Sequence, residues 1–369
     1  MWIHEHQDWP NFTWDGETLA SKLADIRYRQ GRLLGRMEGL GFELKNEANL
    51  YTLTNDVLKS SAIEGENLNP KEVRSSIARR LGINIAGLIP ASRDVEGVVE
   101  MMLDATQQYS KPLTKDRLFG WHTALFPTGR SGVHRITVGN WRTIATGPMQ
   151  VVSGPFGKER VHFEAPNADR LETEMQLFLK WFGDGHDIDP VIKAGIAHLW
   201  FVTIHPFEDG NGRIARAIGD LALARADGIQ VRFYSLSSQI AAKHNHYYEQ
   251  LEKQQRSGLD ITNWLSWFLD CLGLAIDNAK ITVGNVLFKA QLWETINQNP
   301  VNERQRLIIN RMLEDEFKGF MNTSKYAKMT KCSNDTALRD IKGLKDRGIF
   351  IQNPGGGRST SYRLSDMDE

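Results

Sequence analysis

Residues 205 to 216 read His205-Pro206-Phe207-Glu208-Asp209-Gly210-Asn211-Gly212-Arg213-Ile214-Ala215-Arg216. A titratable base, a carboxylate, two glycines, an asparagine and two arginines share twelve positions. Gly210 and Gly212 carry no side chain and let a main chain approach a ligand closely. Arg213 and Arg216, three apart, fall on one face of a first helical turn and can clamp a triphosphate. Asp209 is a hard oxygen ligand of the kind Mg²⁺ takes when it bridges phosphates. His205 is close to neutral at physiological pH and can accept a proton from an attacking hydroxyl. Taken singly these are ordinary turn, surface and core residues; in this order they specify a nucleotide site.

Two helices must position the stretch. Asp189-Pro190 is a helix start, and Val191 to Ile204 follows with apolar residues at Ile192, Ile196, Leu199 and Val202. Downstream, Ile214, Ile218 and Leu221 recur at helical spacing and Gly228 ends the run. The chemistry-bearing loop therefore opens onto a helix N-terminus, whose unpaired N–H groups receive phosphate oxygens.

The stretch resembles the signature of Fic-domain proteins, His-Pro-Phe-x-Asp/Glu-Gly-Asn-Gly-Arg-x-x-Arg, at every defined position. The resemblance implies transfer of AMP from ATP to a hydroxyl side chain of a protein, with pyrophosphate leaving. It assigns His205 as general base, Asp209 as Mg²⁺ ligand, and Gly210, Asn211, Gly212 and Arg213 to the phosphate loop. Asn211, Gly212 and Arg213 would hold the α- and β-phosphates, and Arg216 the γ-phosphate. Phe207 reads as a core anchor. Relatives of the Doc type carry Lys where this chain has Gly212, which favours nucleotidyl transfer here.

Upstream, Ser60-Ser61-Ala62-Ile63-Glu64-Gly65 matches the family's inhibitory pattern Ser/Thr-x-x-x-Glu-Gly/Asn. The resemblance implies a helix from which Glu64 reaches Arg216, taking the donors that the γ-phosphate needs. Between the motifs, 146–155 and Val161-His162-Phe163 read as a β-hairpin. In the family such a flap pairs with the backbone of the protein substrate, here along residues 147–163, and Val152 on it is expected at the nucleotide. His244 to Leu251 resembles the helix whose tyrosines line the adenine pocket; Tyr248 is the expected contact, with Tyr247 second. His244 and His246 lie two apart on a helix and point in different directions, so zinc is not expected.

The chain has 369 residues, 45 Lys+Arg against 45 Asp+Glu, and 41% hydrophobic residues. That balance points to no bulk attraction for nucleic acid or membrane. Cys271 and Cys332 suggest no disulfide framework. The start, Met1-Trp2-Ile3-His4-Glu5, has neither a basic nor an apolar leader segment, and no apolar run reaches the length of a membrane span. A cytoplasmic enzyme with no membrane contact is expected.

The fold class expected is mainly α. An N-terminal helical region (1–90) carries helices Gly16–Gly39, Glu43–Ser60 and Pro70–Arg80. A Fic-type catalytic core with its hairpin flap spans 91–285. After a turn at Asn297-Gln298-Asn299-Pro300, residues 300–369 form helices Glu303–Phe317, Thr323–Met329 and Ser333–Arg347, followed by two strands. This last unit resembles a winged helix-turn-helix. It holds 13 Lys/Arg and 10 Asp/Glu over 301–369, a net of +3. DNA binding and protein contact are both open for it, and family habit suggests a homodimer. Two functions follow. One is a self-inhibited protein adenylyltransferase acting on Tyr, Ser or Thr, including its own. The other is a DNA-binding regulator that uses the Fic domain as a nucleotide sensor.

Overall fold

The computed structural model describes residues 1–365 apart from 86, 156, 186, 187, 314–316, 318, 356, 358 and 359. The chain forms two compact units, Met1–Lys280 and Ile281–Glu369. In the first, α1 (Gly16–Glu38), α2 (Phe42–Ile63), α3 (Pro70–Leu81), α4 (Arg93–Gln107) and α5 (Lys115–Leu125) lead to short strands β1 (Arg130–Ser131) and β2 (His134–Arg135). Strands β3 (Gln150–Ser153) and β4 (Arg160–Glu164) follow, then α6 (Leu171–Gly183), α7 (Pro190–Ile204), α8 (Asn211–Asp227), α9 (Leu236–Ala242) and α10 (His244–Gln255). Helix α11 (Thr262–Gln298) begins in the first unit and ends in the second. There α12 (Glu303–Met312), α13 (Thr323–Thr330) and α14 (Asn334–Asp346) precede strands β5 (Phe350–Gln352) and β6 (Tyr362–Leu364).

Local chemistry sets these boundaries. Asn69 accepts the Lys71 N–H at 3.0 Å, Pro70 supplies a preset φ, and left-handed Gly82 (φ 67°) closes α3. Asp189 caps α7 through the Val191 N–H at 2.8 Å. Helix α7 is apolar nearly all round and is sheathed by its neighbours, with Ala194, Ala197, Leu199, Phe201 and Ile204 sealed from solvent. It packs lengthwise on α8, so the loop between them is held at both ends.

Three helix boundaries differ from the sequence expectation by more than one residue. Helix α2 runs to Ile63, beyond Ser60, because Ala62 and Ile63 continue the pattern up to the Gly65 break. Asn297 and Gln298 are helical within α11, and the turn begins only where Pro300 bars residue 299 from the helix. Helix α12 stops at Met312, short of Phe317. Residues 314–316 of that expected helix, 156 of the flap and 356 between the last two strands lie outside the described residues.

The expectation about apolar runs also meets an exception. Helix α11 has 37 residues, and an 18-residue window of it reaches a mean hydropathy of 1.2. By length and composition it could cross a membrane. Its residues Trp264, Leu265, Phe268, Leu269, Leu272 and Ile276 are instead sealed against protein. The Trp264 indole donates to the Gly195 carbonyl at 2.9 Å.

In the second unit, Ile308, Tyr326, Ala337, Ile341, Leu344 and Phe350 form one apolar core. Asp340 ties it with polar bonds, accepting from Arg304, Asn302 and the Tyr326 hydroxyl. β5 and β6 pair antiparallel, and Met321 bridges to Tyr362 on the other side.

Candidate active site

Helix α7 ends on His205, which takes a left-handed conformation (φ 52°) rare for a residue with a side chain. Its Nδ1 lies 3.1 Å from the Val202 carbonyl. A carbonyl can only accept, so Nδ1 carries the proton and Nε2 holds a free lone pair. Burial pushes the imidazole down to about 4, which keeps it neutral at physiological pH.

The loop that follows is braced from within. Asn211 closes a two-bond ring on Phe207, accepting its N–H at 2.9 Å and donating to its carbonyl at 2.8 Å. The Asn211 side chain is thus anchored in the loop, with one N–H of its amide left uncommitted by this ring. Phe207 is sealed in the core, stacked on the His122 ring at 4.1 Å between centroids. His122 bonds the Asp209 carbonyl through Nε2 (3.2 Å) and accepts the Gly139 N–H at Nδ1 (3.2 Å). Burial lowers its pKa to about 4, so it serves as a neutral strut. Arg142 is the other brace. Its guanidinium donates to the carbonyls of His205 (2.8 Å) and Pro166 (2.5 Å), joining the loop to the segment after β4.

Asp209 accepts the Gly210 N–H at 2.5 Å and the Ser131 hydroxyl. Gly210, with φ 81°, caps α8, and a Cβ there would meet Phe126 at 2.9 Å. Its conformation and crowding both select glycine.

Both arginines of α8 are already engaged. The Arg216 Nε and Nη2 donate to the Ser60 hydroxyl and carbonyl, each at 2.9 Å, and Nη2 also meets Glu64 Oε1 at 2.7 Å. Arg216 is 1% exposed and Glu64 28%. Arg213 donates to Glu66 Oε2 at 2.6 Å and stacks over the Phe126 ring at 5.0 Å. A Cβ on Gly212 would stand 2.2 Å from Glu64 Oε1, so this glycine is what admits the carboxylate to the helix N-terminus.

Beside these groups lies a cavity of about 800 Å³ that brings together His205, Glu64, Gly212, Val152 and Tyr248. β3 and β4 form the expected flap, with a register shift between Val151 and Val152. Val152 stands 48% exposed on it. Glu252 of α10 fastens the flap: it takes Arg160 at 2.7 Å and His162 Nδ1 at 2.6 Å, while His162 Nε2 meets the Ser153 hydroxyl at 2.6 Å. From the same helix Tyr248 lies half-buried along the cavity, its hydroxyl pushed up to about 12 by burial and by Glu64. Tyr247 is sealed and bonded to His198 at 2.9 Å, which explains why its neighbour faces the ligand space. His244 bonds the Ile63 carbonyl at 3.1 Å, linking α10 to the end of α2.

Gly210, Asn211, Arg213 and Arg216 are buried beside the cavity-lining Gly212 and Glu64, and Asp209 lies on the loop next to them. Sequence reasoning missed Glu66, Arg142 and His122. Glu66 carried a signal, a second carboxylate two residues past Glu64 across a glycine. The other two act over 17 to 87 residues of separation, and no local pattern marks them.

Residues 112–223 match the family model described as Fic/DOC family, and residues 2–83 match one described as a domain of unknown function, DUF4172. The chain is 26% identical over 226 residues to the protein adenylyltransferase Fic of Nematostella vectensis, 60% of this chain and 47% of that one. It is 30% identical over 132 residues to the protein of the same name from Drosophila melanogaster, 34% of this chain and 25% of that one. It therefore spans less than half the length of these curated relatives. A Fic family protein from Desulfovibrio desulfuricans G20 shares the fold, with a TM-score of 0.50 at 20% identity over 94% of this chain and 97% of that one. A Fic domain containing signaling protein from Bacteroides thetaiotaomicron gives 0.51 at 20% identity, over 71% and 97%.

Proposed function

The chain carries a Fic/DOC domain over residues 112–223, and from that premise we propose that it is a self-inhibited protein adenylyltransferase. The Tyr, Ser or Thr hydroxyl of a protein held along the flap attacks the α-phosphorus of ATP. The new O–P bond forms as the bond from the α-phosphorus to the bridging oxygen breaks, and pyrophosphate leaves. The hydroxyl proton passes to His205 Nε2, and that free lone pair beside the cavity is the observation that carries the reading. The N-terminus of α8 and Arg213 take the charge of the phosphates. Asp209 is a single carboxylate beside them, a donor set that fits Mg²⁺ shared with phosphates. The ion would neutralise phosphate charge when bound.

In the resting state Glu64 occupies Arg216, the partner of the γ-phosphate, and so opposes productive ATP binding. Similarity to the protein adenylyltransferases of Nematostella vectensis and Drosophila melanogaster supports the activity. A second reading, a DNA-binding regulator, draws on the exposed Arg339, Lys342 and Lys345 of α14. One experiment separates the two. Wild-type, Glu64→Gly and Glu64→Gly/His205→Ala protein are incubated with Mg²⁺ and α-labelled ATP, and label on protein is counted. Label should rise in Glu64→Gly and vanish in the double variant. No label from any nucleotide, together with salt-dependent DNA binding by the full chain, would replace this reading with the second.

A further inference from the structure

The end of α2 presents two carboxylates to α8. Glu64 and Glu66 flank Gly65, whose φ of 80° reverses the chain, and the N–H groups of both Glu64 and Glu66 return to the Ser61 carbonyl at 3.0 Å. Residues two apart on a helix diverge; across a left-handed glycine they turn to the same side. Each then meets a different arginine, Glu64 on Arg216 at 2.7 Å and Glu66 on Arg213 at 2.6 Å.

We propose that Glu66 is a specificity-determining residue that competes with the β-phosphate for Arg213. The proposal rests on the cavity being a nucleotide site in which Arg213 takes the β-phosphate and Arg216 the γ-phosphate, the α-phosphate resting on the main chain of the loop. Glu66 does not hold Arg213 in place. The guanidinium is 3% exposed and lies over Phe126, so its position survives loss of the carboxylate. Glu66 is 45% exposed and can swing into solvent when a phosphate arrives. The two carboxylates therefore test a nucleotide at different points along its chain. Diphosphates and triphosphates must displace Glu66, only triphosphates must displace Glu64, and a monophosphate displaces neither.

Calorimetric titration of AMP, ADP and ATP with Mg²⁺ into the full chain reads this out. Glu66→Gln should tighten ADP and ATP about two- to fivefold, the size expected for a half-exposed ion pair, and leave AMP unchanged. Glu64→Gln should tighten ATP alone. Glu66→Asp, whose carboxylate falls short of Arg213, should act like Glu66→Gln while keeping the charge. Glu249→Gln removes an exposed carboxylate lining the same cavity and should change none of the three. Weaker ADP binding in Glu66→Gln would make Glu66 a support for Arg213 and overturn the proposal. Equal tightening of AMP and ADP would overturn it as well. If neither wild type nor any variant bound a nucleotide, the nucleotide reading itself would fall.

Discussion

Gly212→Ala tests the geometry of the Glu64–Arg216 pair without altering either partner. The added Cβ would stand 2.2 Å from Glu64 Oε1 and 3.2 Å from Arg216 Nη1. No Cβ occupies such a contact, and the nearest atom is the end of a flexible side chain, so Glu64 must withdraw. Arg216 then keeps its two bonds to Ser60 and loses its charged partner. A hydrogen bond to a charged group is worth about 1.5–3 kcal/mol when buried, and the partial exposure of Glu64 brings this one to about 1–1.5 kcal/mol. In Glu64→Ala protein the same substitution meets no carboxylate. There it gains the ordinary preference of alanine over glycine within a helix, at most about 0.5–1 kcal/mol and less in the first turn. The effect of Gly212→Ala should therefore change sign between the two backgrounds, with a coupling of about 1–1.5 kcal/mol, since the helix preference is common to both. Nine of the ten tryptophans precede residue 281, so urea unfolding followed by tryptophan emission reports the first unit. Equal destabilisation in both backgrounds would show that Glu64 does not occupy the space above residue 212.

Two other groups give separate expectations. Asp56 is sealed beside Asp220, Arg232 and the Ser235 hydroxyl, with Asp227 nearby, and burial followed by the Asp220 charge pushes its carboxyl up to about 8. A carboxyl protonated when folded but ionised above about pH 4 when unfolded contributes stability that is full below pH 4 and lost as pH rises to about 8. Asp56→Asn should flatten that part of the stability–pH curve, and an unchanged slope in urea unfolding between pH 5 and 8 would refute the assignment. Glu252→Gln should loosen the flap by weakening its hold on Arg160 and His162. Hydrogen exchange should then quicken across 150–164 and stay as it was in α7, whereas an unchanged flap would show that Glu252 does not fasten it.

Much of this fold is written locally. The capping residues of α3 and α7, the breakers around the flap and the apolar spacing of α8 each act within one or two turns, so they can be read without a structure. The position of Glu64 near Arg216 comes from a family resemblance, since 152 residues separate them and no periodicity links the two. The rest depends on which groups the fold brings together. Asn211, read as a phosphate ligand, also braces the loop, its amide closing on both polar groups of the buried Phe207 peptide. Tyr248 is the expected ring contact ahead of Tyr247, and the reason for that order is tertiary: the bond to His198 from α7 holds the first tyrosine in the core and leaves the second the more open at the cavity. Arg142 and His122 are illegible because their acceptors are main-chain carbonyls, which carry no residue signature.

Helix α2 meets α8 through Asp56, Ser60 and Glu64, four residues apart and therefore stacked along one face. The first two are sealed, among the buried residues around Arg232 and Arg216, while Glu64 is open to solvent at the tip. The contact works like a zip with its closed end at Asp56. Opening it at Glu64 disturbs one turn of helix and a glycine hinge, and leaves the lower rungs fastened. The Glu64 contact of Arg216 can thus be released by fraying at the end of α2, with the bonds to Ser60 kept, the body of that helix still in its groove and ready to close again.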